Sequence, residues 1–283
     1  TSAFMADLAA GVEELDPLFA FDVHRYGSED EKTKVIAMDE QDIECMLRNI
    51  RYDMFETSGH QGADTTKAFV ELICKEEHSQ DLQPVIDHNH KLLPQKLLQC
   101  LNCIVLQVLS KPDIWKKYPC IQRAATKYNT SGKSSLSAVQ LRWHNDVYPM
   151  LDISIDIVPA IAMPDGRPSL YNQHPLIKKL DLIAVPKWKT TAPSDKALMK
   201  VGIFQWSPVF NEMPEEMRQG YRMAKVVRDK AVCPQIEEWP EVHAGDFITS
   251  YMLKQSIIKE YAALYDSYLC DRSEERRFWQ DGW

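Results

Sequence analysis

Ile153-Ser154-Ile155-Asp156-Ile157-Val158-Pro159-Ala160 is the stretch on which the fold turns. Ile153, Ile155 and Ile157 alternate with Asp152, Ser154 and Asp156, the two-residue period of a strand with one face in a core. A strand is expected over Asp152–Ile161. An acid in so apolar a strand is costly to bury without a partner. Upstream, Asp39-Glu40-Gln41-Asp42-Ile43-Glu44 lies in Thr33–Leu47, which reads mostly extended. Residues two apart in a strand share a face, so Glu40, Asp42 and Glu44 should project together. Neighbouring carboxylates repel unless a cation sits between them, and Mg2+ suits hard oxygen ligands. Glu40, Asp42 and Asp156 on adjacent strands could hold two Mg2+ or Mn2+ ions roughly 4 Å apart, the arrangement used for phosphoryl transfer. Asp156 is also the candidate base for an attacking hydroxyl. Taken alone, Glu-x-Asp is a frequent chance pattern and also fits exposed acids on an edge strand. Gly27-Ser28, upstream of the acids, offers backbone N–H groups and a hydroxyl to phosphate oxygens; an ordinary turn reads the same way.

Working outward, Phe4–Phe19 reads as helix, and Gly27–Ser28 breaks the pattern. Asp64–Lys75 and Pro94–Leu109 read as helices, the second strongly apolar. Val139–Trp143, Leu180–Trp188 and Lys200–Trp206 read as strands. Pro214–Lys230 and Gly245–Leu269 read as helices. The expected class is α+β: a mixed twisted sheet lobe with flanking helices over 1–207, then a helical lobe over 208–283. A cleft between lobes is a usual place for a ligand.

The chain has 283 residues, a hydrophobic fraction of 45% and a net charge of −8, which argues against a uniformly basic nucleic-acid binder. Between Lys91 and Lys133, however, eight Lys/Arg face one acid, Asp113. Such a segment can steer a polyanion to one surface, or be a solvated helix face. The seven cysteines are scattered and lie mostly in apolar runs. With no signal peptide and no membrane-spanning run, the expectation is a reduced, cytoplasmic protein without a membrane partner. The start at Thr1 reads as a piece of a longer chain. Cys100-x-x-Cys103, with His88 and His90 upstream, invites a zinc reading. The pair sits in an apolar helix, so core packing is preferred and no structural zinc is expected. No GxSxG, Walker A or GxGxxG pattern occurs.

Gly27-Ser28, Glu40-x-Asp42 and Ile153–Ala160 in this order resemble the cyclic GMP-AMP synthase (cGAS) family, and in particular the cGAS-like receptors of animals. Leu182-Ile183-Ala184-Val185-Pro186-Lys187 is similar to the family's "LVPK" strand. Phe204-Gln205-Trp206-Ser207 with Glu212 is similar to its "WRxSFSxxE" segment. Lys225 matches its nucleotide-contacting helix lysine, and Ser250-Tyr251-Met252-Leu253-Lys254 its "SYxxKT" element. The resemblance runs, with gaps, from about residue 5 to about 265.

It implies a bilobed nucleotidyltransferase fold and an enzyme of innate immune signalling. That enzyme joins two NTPs (ATP, GTP or other) into a cyclic dinucleotide second messenger. Glu40, Asp42 and Asp156 would hold the metals, and Gly27 and Ser28 would cradle the triphosphate. Lys225 would neutralise phosphate charge. Tyr251 would stack on a base, and Ser207, Glu212 and Ser250 would hydrogen-bond the nucleotides. Activation by a nucleic acid is also implied, double-stranded RNA ahead of DNA, on Lys111, Lys116, Lys117, Arg123 and Lys127. A catalytically silent nucleotide-binding or scaffold member of the same fold is the alternative.

Three departures stand out. Gln205 replaces a frequent arginine, and Pro208-Val209 replace a Phe-Ser pair. Met213–Ala224 lacks the Cys and His of the mammalian zinc thumb, which weakens the argument for DNA as activator. The chain ends at Trp283, sooner after the "SYxxKT" element than the family pattern leads one to expect.

Overall fold

A computed structural model describes residues 2–26, 31–33, 40–58, 69–123, 138–143, 151–164, 180–186, 197–228 and 252–265. The long strand expected around Asp156 is its organising element. This strand, β7 (Leu151–Ala162), runs parallel to β2 (Glu40–Leu47) and antiparallel to β6 (Ala138–Trp143) along most of its length. Its far end turns to β8 (Leu182–Val185) through Ile161 and Ala162. With β1 (Phe21–Tyr26), β3 (Phe55–Ser58), β4 (Phe69–Cys74), β5 (Ile121–Arg123) and β9 (Leu198–Ile203), the described residues form one nine-stranded sheet. The order is β1-β2-β7-β8-β9-β4-β3, with β6 joined to β7 and β5 to β6.

Two helices cover one face of the sheet. In α1 (Ser2–Leu15), Phe4, Met5, Leu8, Ala9 and Val12 are buried, the three-and-four spacing of an apolar stripe. In α2 (Pro94–Ser110), Leu97, Leu98, Leu101, Ile104, Val105, Val108 and Leu109 are buried. Pro94 opens this helix, where its missing N–H has no intrahelical acceptor to lose. Gly11 marks where α1 approaches α2: a Cβ there would meet Val108 Cγ1 at 2.7 Å. The helix expected over Phe4–Phe19 stops at Leu15. Pro17 opens a short 3-10 turn there, with the Asp16 side chain accepting from the Leu18 N–H.

A short helix, α3 (Pro112–Lys117), is tied back onto α1. The Tyr118 hydroxyl donates to Asp7 Oδ2 at 2.5 Å, and Lys117 Nζ pairs with the same oxygen at 2.5 Å. Lys117, then Tyr118, hold the Asp7 carboxyl below its usual value. A depressed folded-state value means that the contact stabilises the fold above the carboxyl's ordinary titration range, about pH 4, and is lost as pH falls through the folded value. Urea unfolding at pH 7 and pH 3 should therefore show a smaller stability loss for Asp7→Asn than for the wild type. Equal losses would remove Asp7 from the acid response.

Among the described residues of the helix expected over Asp64–Lys75, there is no helix. Phe69–Cys74 is a strand, β4, paired to β3 on one side and β9 on the other; residues 64–68 lie outside those described. Phe69, Val70 and Ile73 favour a pleated surface. Neighbours on both sides satisfy the backbone of β4, so strand pairing and this propensity act together. Other boundaries shift. β9 spans Leu198–Ile203 instead of Lys200–Trp206, and in the described part of Leu180–Trp188, residues 180–186, the strand is Leu182–Val185.

The chain divides into two compact units. The first, Thr1–Gly27, Met38–Asn172 and Leu180–Gln205, contains the sheet and α1 to α3. The second, Ser28–Ala37, Gln173–Lys179 and Trp206–Trp283, contains α4 (Ser207–Glu212), α5 (Glu215–Val227) and α6 (252–265). Its core includes Phe210, stacked on Tyr221 with ring centroids 5.6 Å apart. Tyr261 donates its hydroxyl to the Glu212 carbonyl at 3.2 Å. Among the described residues no helix is long and apolar enough to cross a membrane.

Candidate active site

The register of β2 against β7 brings the sequence-predicted acids together. Asp42 is the Cα partner of Asp156, and Glu40 is the partner of Ser154. The same row continues to Tyr26 on β1 and Ala138 on β6. β1 ends at Tyr26, and Gly27-Ser28 are the next residues in the chain. Parallel neighbours lie about 4.8 Å apart across the sheet. Glu40, Asp42 and Asp156 therefore occupy adjoining positions of one strand parity. Ile43, Cys45, Ile155 and Ile157, of the other parity, are all buried in the main core. Like charges set opposite each other on neighbouring strands are destabilising without a counter-ion. A set of hard carboxylate donors in this register fits a divalent cation such as Mg2+. The side chains of Glu40, Asp42 and Asp156 themselves lie outside the described set.

The acids lead into a small second core that sequence reading did not find. Further along the same parity, Glu44 is buried at 5% exposure. Beyond it, Ala160, Ile183 and Val185 form a separate apolar cluster with Met46, Val158 and Phe204 packed against it. The His24 ring meets Phe204 edge-on at 4.8 Å. Burial, with Glu44 second, pushes the Cys45 thiol well up, so it stays protonated. No local pattern marks this cluster, because its members come from three strands and the segment after β9.

The other expected residues divide. Ser207 opens α4, and Glu212 closes it, exposed. Lys225, which by itself would read as a surface lysine, is 6% exposed and donates to the Thr33 carbonyl at 3.1 Å. Gly27, Ser28, Ser250, Tyr251 and Lys127 lie outside the described residues, and Arg123 is described only through its backbone in β5.

Of the five lysines of the basic stretch among the described residues, four are ion-paired. Lys91 meets Glu71 at 2.8 Å, Lys111 meets Glu14 at 3.5 Å, Lys116 meets Asp113 at 3.1 Å, and Lys117 meets Asp7. Of the helix cysteines, Cys100 packs against the core but Cys103 is exposed, so core packing accounts for only one of the pair. An α2 face wide enough to bury Leu97, Leu101 and Ile104 leaves position 103 outside it.

A mixed sheet flanked by helices, with acids in register on adjacent parallel strands, is the architecture of a nucleotidyltransferase. The model of the Mab-21 protein nucleotidyltransferase domain matches residues 30–184, more than half of the chain, and the chain belongs to that family. The match takes in Glu40, Asp42 and Asp156 and ends within β8. No curated protein sequence matches the chain.

Proposed function

We propose that this protein is a metal-dependent nucleotidyltransferase that joins two NTPs into a cyclic dinucleotide, cyclic GMP-AMP or a related second messenger, in cytoplasmic innate immune signalling. The observation that carries the reading is the register of Asp42 against Asp156, with Glu40 one step away, inside a Mab-21 nucleotidyltransferase domain. Glu40, Asp42 and Asp156 would hold two divalent ions. When bound, these would lower the pKa of the attacking hydroxyl and offset charge on the triphosphate. Asp156 accepts the proton of that hydroxyl. Gly27 and Ser28 cradle the triphosphate, and Lys225 neutralises its charge. Ser207, Glu212 and Ser250 orient the nucleotides by hydrogen bonds, while Tyr251 stacks on a base. In this reading residues 1–207 are the catalytic lobe and 208–283 the helical lobe.

Activation by a duplex, RNA ahead of DNA, belongs to the same proposal, on Lys111, Lys116, Lys117, Arg123 and Lys127. Exposed ion pairs contribute little, about 0–1 kcal/mol each, so phosphates can take over their lysines. A catalytically silent member of the fold is the second reading, favoured by Gln205 and Pro208. The protein should be incubated with all four NTPs and Mg2+ or Mn2+, with and without duplex RNA or DNA, and the products separated by chromatography and mass spectrometry. A metal-dependent cyclic dinucleotide lost in Asp156→Asn supports the enzyme. NTP binding without product in every condition supports the silent reading.

A further inference from the structure

Cys100-x-x-Cys103 has no part in the roles above, and core packing explains only its first member. Both cysteines lie in the middle of α2. Cys100 is half-buried against the main core, while Cys103 is exposed. An oxidant dissolved in water therefore meets Cys103 first. Cys45 and Cys74 are buried, and burial is the main cause that raises both of their thiols.

Helix geometry sets what the pair can do. Three residues along a helix, two Cα atoms stand about 5 Å apart, inside the range of about 4.4–6.8 Å that disulfides span. The Cβ atoms fit less well. At this spacing they are about 5–6 Å apart, and a disulfide brings them to about 3.5–4.5 Å. A bond between these sulfurs therefore forms only if the turn that carries them gives way. That turn also holds Leu101 and Ile104, both buried in the same core cluster as Ile155 and Ile157 of β7, on which α2 packs. The two thiols sense one another as well. Burial, and next the charge of Cys103, hold the Cys100 thiol above its ordinary range, with Asp16 adding to this and Lys96 opposing it.

We propose that Cys100 and Cys103 are a peroxide-responsive dithiol, with Cys103 oxidised first and Cys100 the resolving thiol, and that closing the disulfide loosens α2 where it supports β7. The Cys103 thiolate attacks a hydroperoxide: an S–O bond forms, the O–O bond breaks, and the released oxygen takes a proton and leaves as water or an alcohol. Cys103 is then a sulfenic acid, oxidised by two electrons. It carries no charge, so the charge that opposed ionisation of Cys100 is gone. The Cys100 sulfur displaces the sulfenic hydroxyl, which departs as water with the Cys100 proton, and the S–S bond is made. A strained disulfide is more easily reduced, so a dithiol reductant returns both thiols. This chemistry does not depend on the nucleotidyltransferase reading, and its test needs no nucleotide.

The whole reduced protein should be treated with hydrogen peroxide, alkylated and cleaved with trypsin. Residues 97–116 leave as one peptide, because Lys111 precedes Pro112, and Cys100 and Cys103 are its only cysteines. In the wild type this peptide should lose the mass of two hydrogens, resist alkylation, and regain both thiols with dithiothreitol. Cys100→Ser removes the resolving thiol, so Cys103 should take up the sulfenic-acid reagent dimedone several-fold more than in the wild type. Cys103→Ser should leave Cys100 almost unlabelled. The oxidised wild type should melt several degrees below the reduced protein. Cys103→Ser should keep its melting temperature under the same treatment, which separates the disulfide from oxidation elsewhere. A wild-type Cys103 that resists peroxide, passes to sulfinic acid, or bonds to any cysteine but Cys100 overturns the dithiol. An intact bond between Cys100 and Cys103 with no fall in melting temperature overturns the loosening of α2.

Discussion

Asp156→Asn should lower nucleotide transfer by at least ~100-fold, the scale of losing one preorganised electrostatic contact at a reacting centre, while leaving the protein folded. Asp156 and Asp42 are register partners on parallel strands, with Glu40 one step further along β2. In the proposed mechanism, removing this carboxylate takes away a metal ligand and the base together. It also relieves repulsion that the metal-free protein carries. Two readouts should therefore move in opposite directions. Product formation should collapse, and the melting temperature without divalent ions should rise. Mg2+ should stabilise the wild type, by the linkage that favours any state binding a ligand, and should have little effect on the variant. A variant that retains activity, or that gains as much stability from Mg2+ as the wild type, would remove Asp156 from the metal site.

Phe4→Ala should destabilise the sheet unit by about 3–5 kcal/mol, the usual range for truncating a buried phenylalanine. Phe4 is 1% exposed. Its ring meets Tyr118 edge-on at 5.4 Å and Trp115 at 6.0 Å. The side chain therefore joins α1 to α3 as well as to the main core, and Asp7 reinforces the same junction from the next turn of α1. Trp115 is itself fixed by donating its Nε1–H to the Leu109 carbonyl at 2.8 Å, so it cannot easily collapse into the vacated space. Phe4→Leu keeps most of the volume and should cost less than about 1.5 kcal/mol. Urea unfolding of the two variants tests this; equal, small losses would show that the aromatic junction contributes little.

The alternation about Asp156 and the apolar stripe of α2 were legible because each is a local period. Burying Ile155 and Ile157 on one face needs a strand, and burying Leu97, Leu101 and Ile104 needs a helix. Strand parity also grouped Glu40 with Asp42 before any pairing was known. β4 was misread because Phe69–Cys74 is too short for its period to decide, and pairing to β3 and β9 settles it. The register of Asp42 against Asp156, the second apolar cluster behind Glu44, the distant acids Glu71, Glu14 and Asp7 that meet the basic stretch and the burial of Lys225 against Thr33 were not legible. Each depends on contacts between residues far apart in the chain, whose free energy comes from pairing and burial that no local window contains. The sequence by itself determined which residue types were available to bind metal and phosphate. Only the tertiary structure decided which of them stand opposite one another.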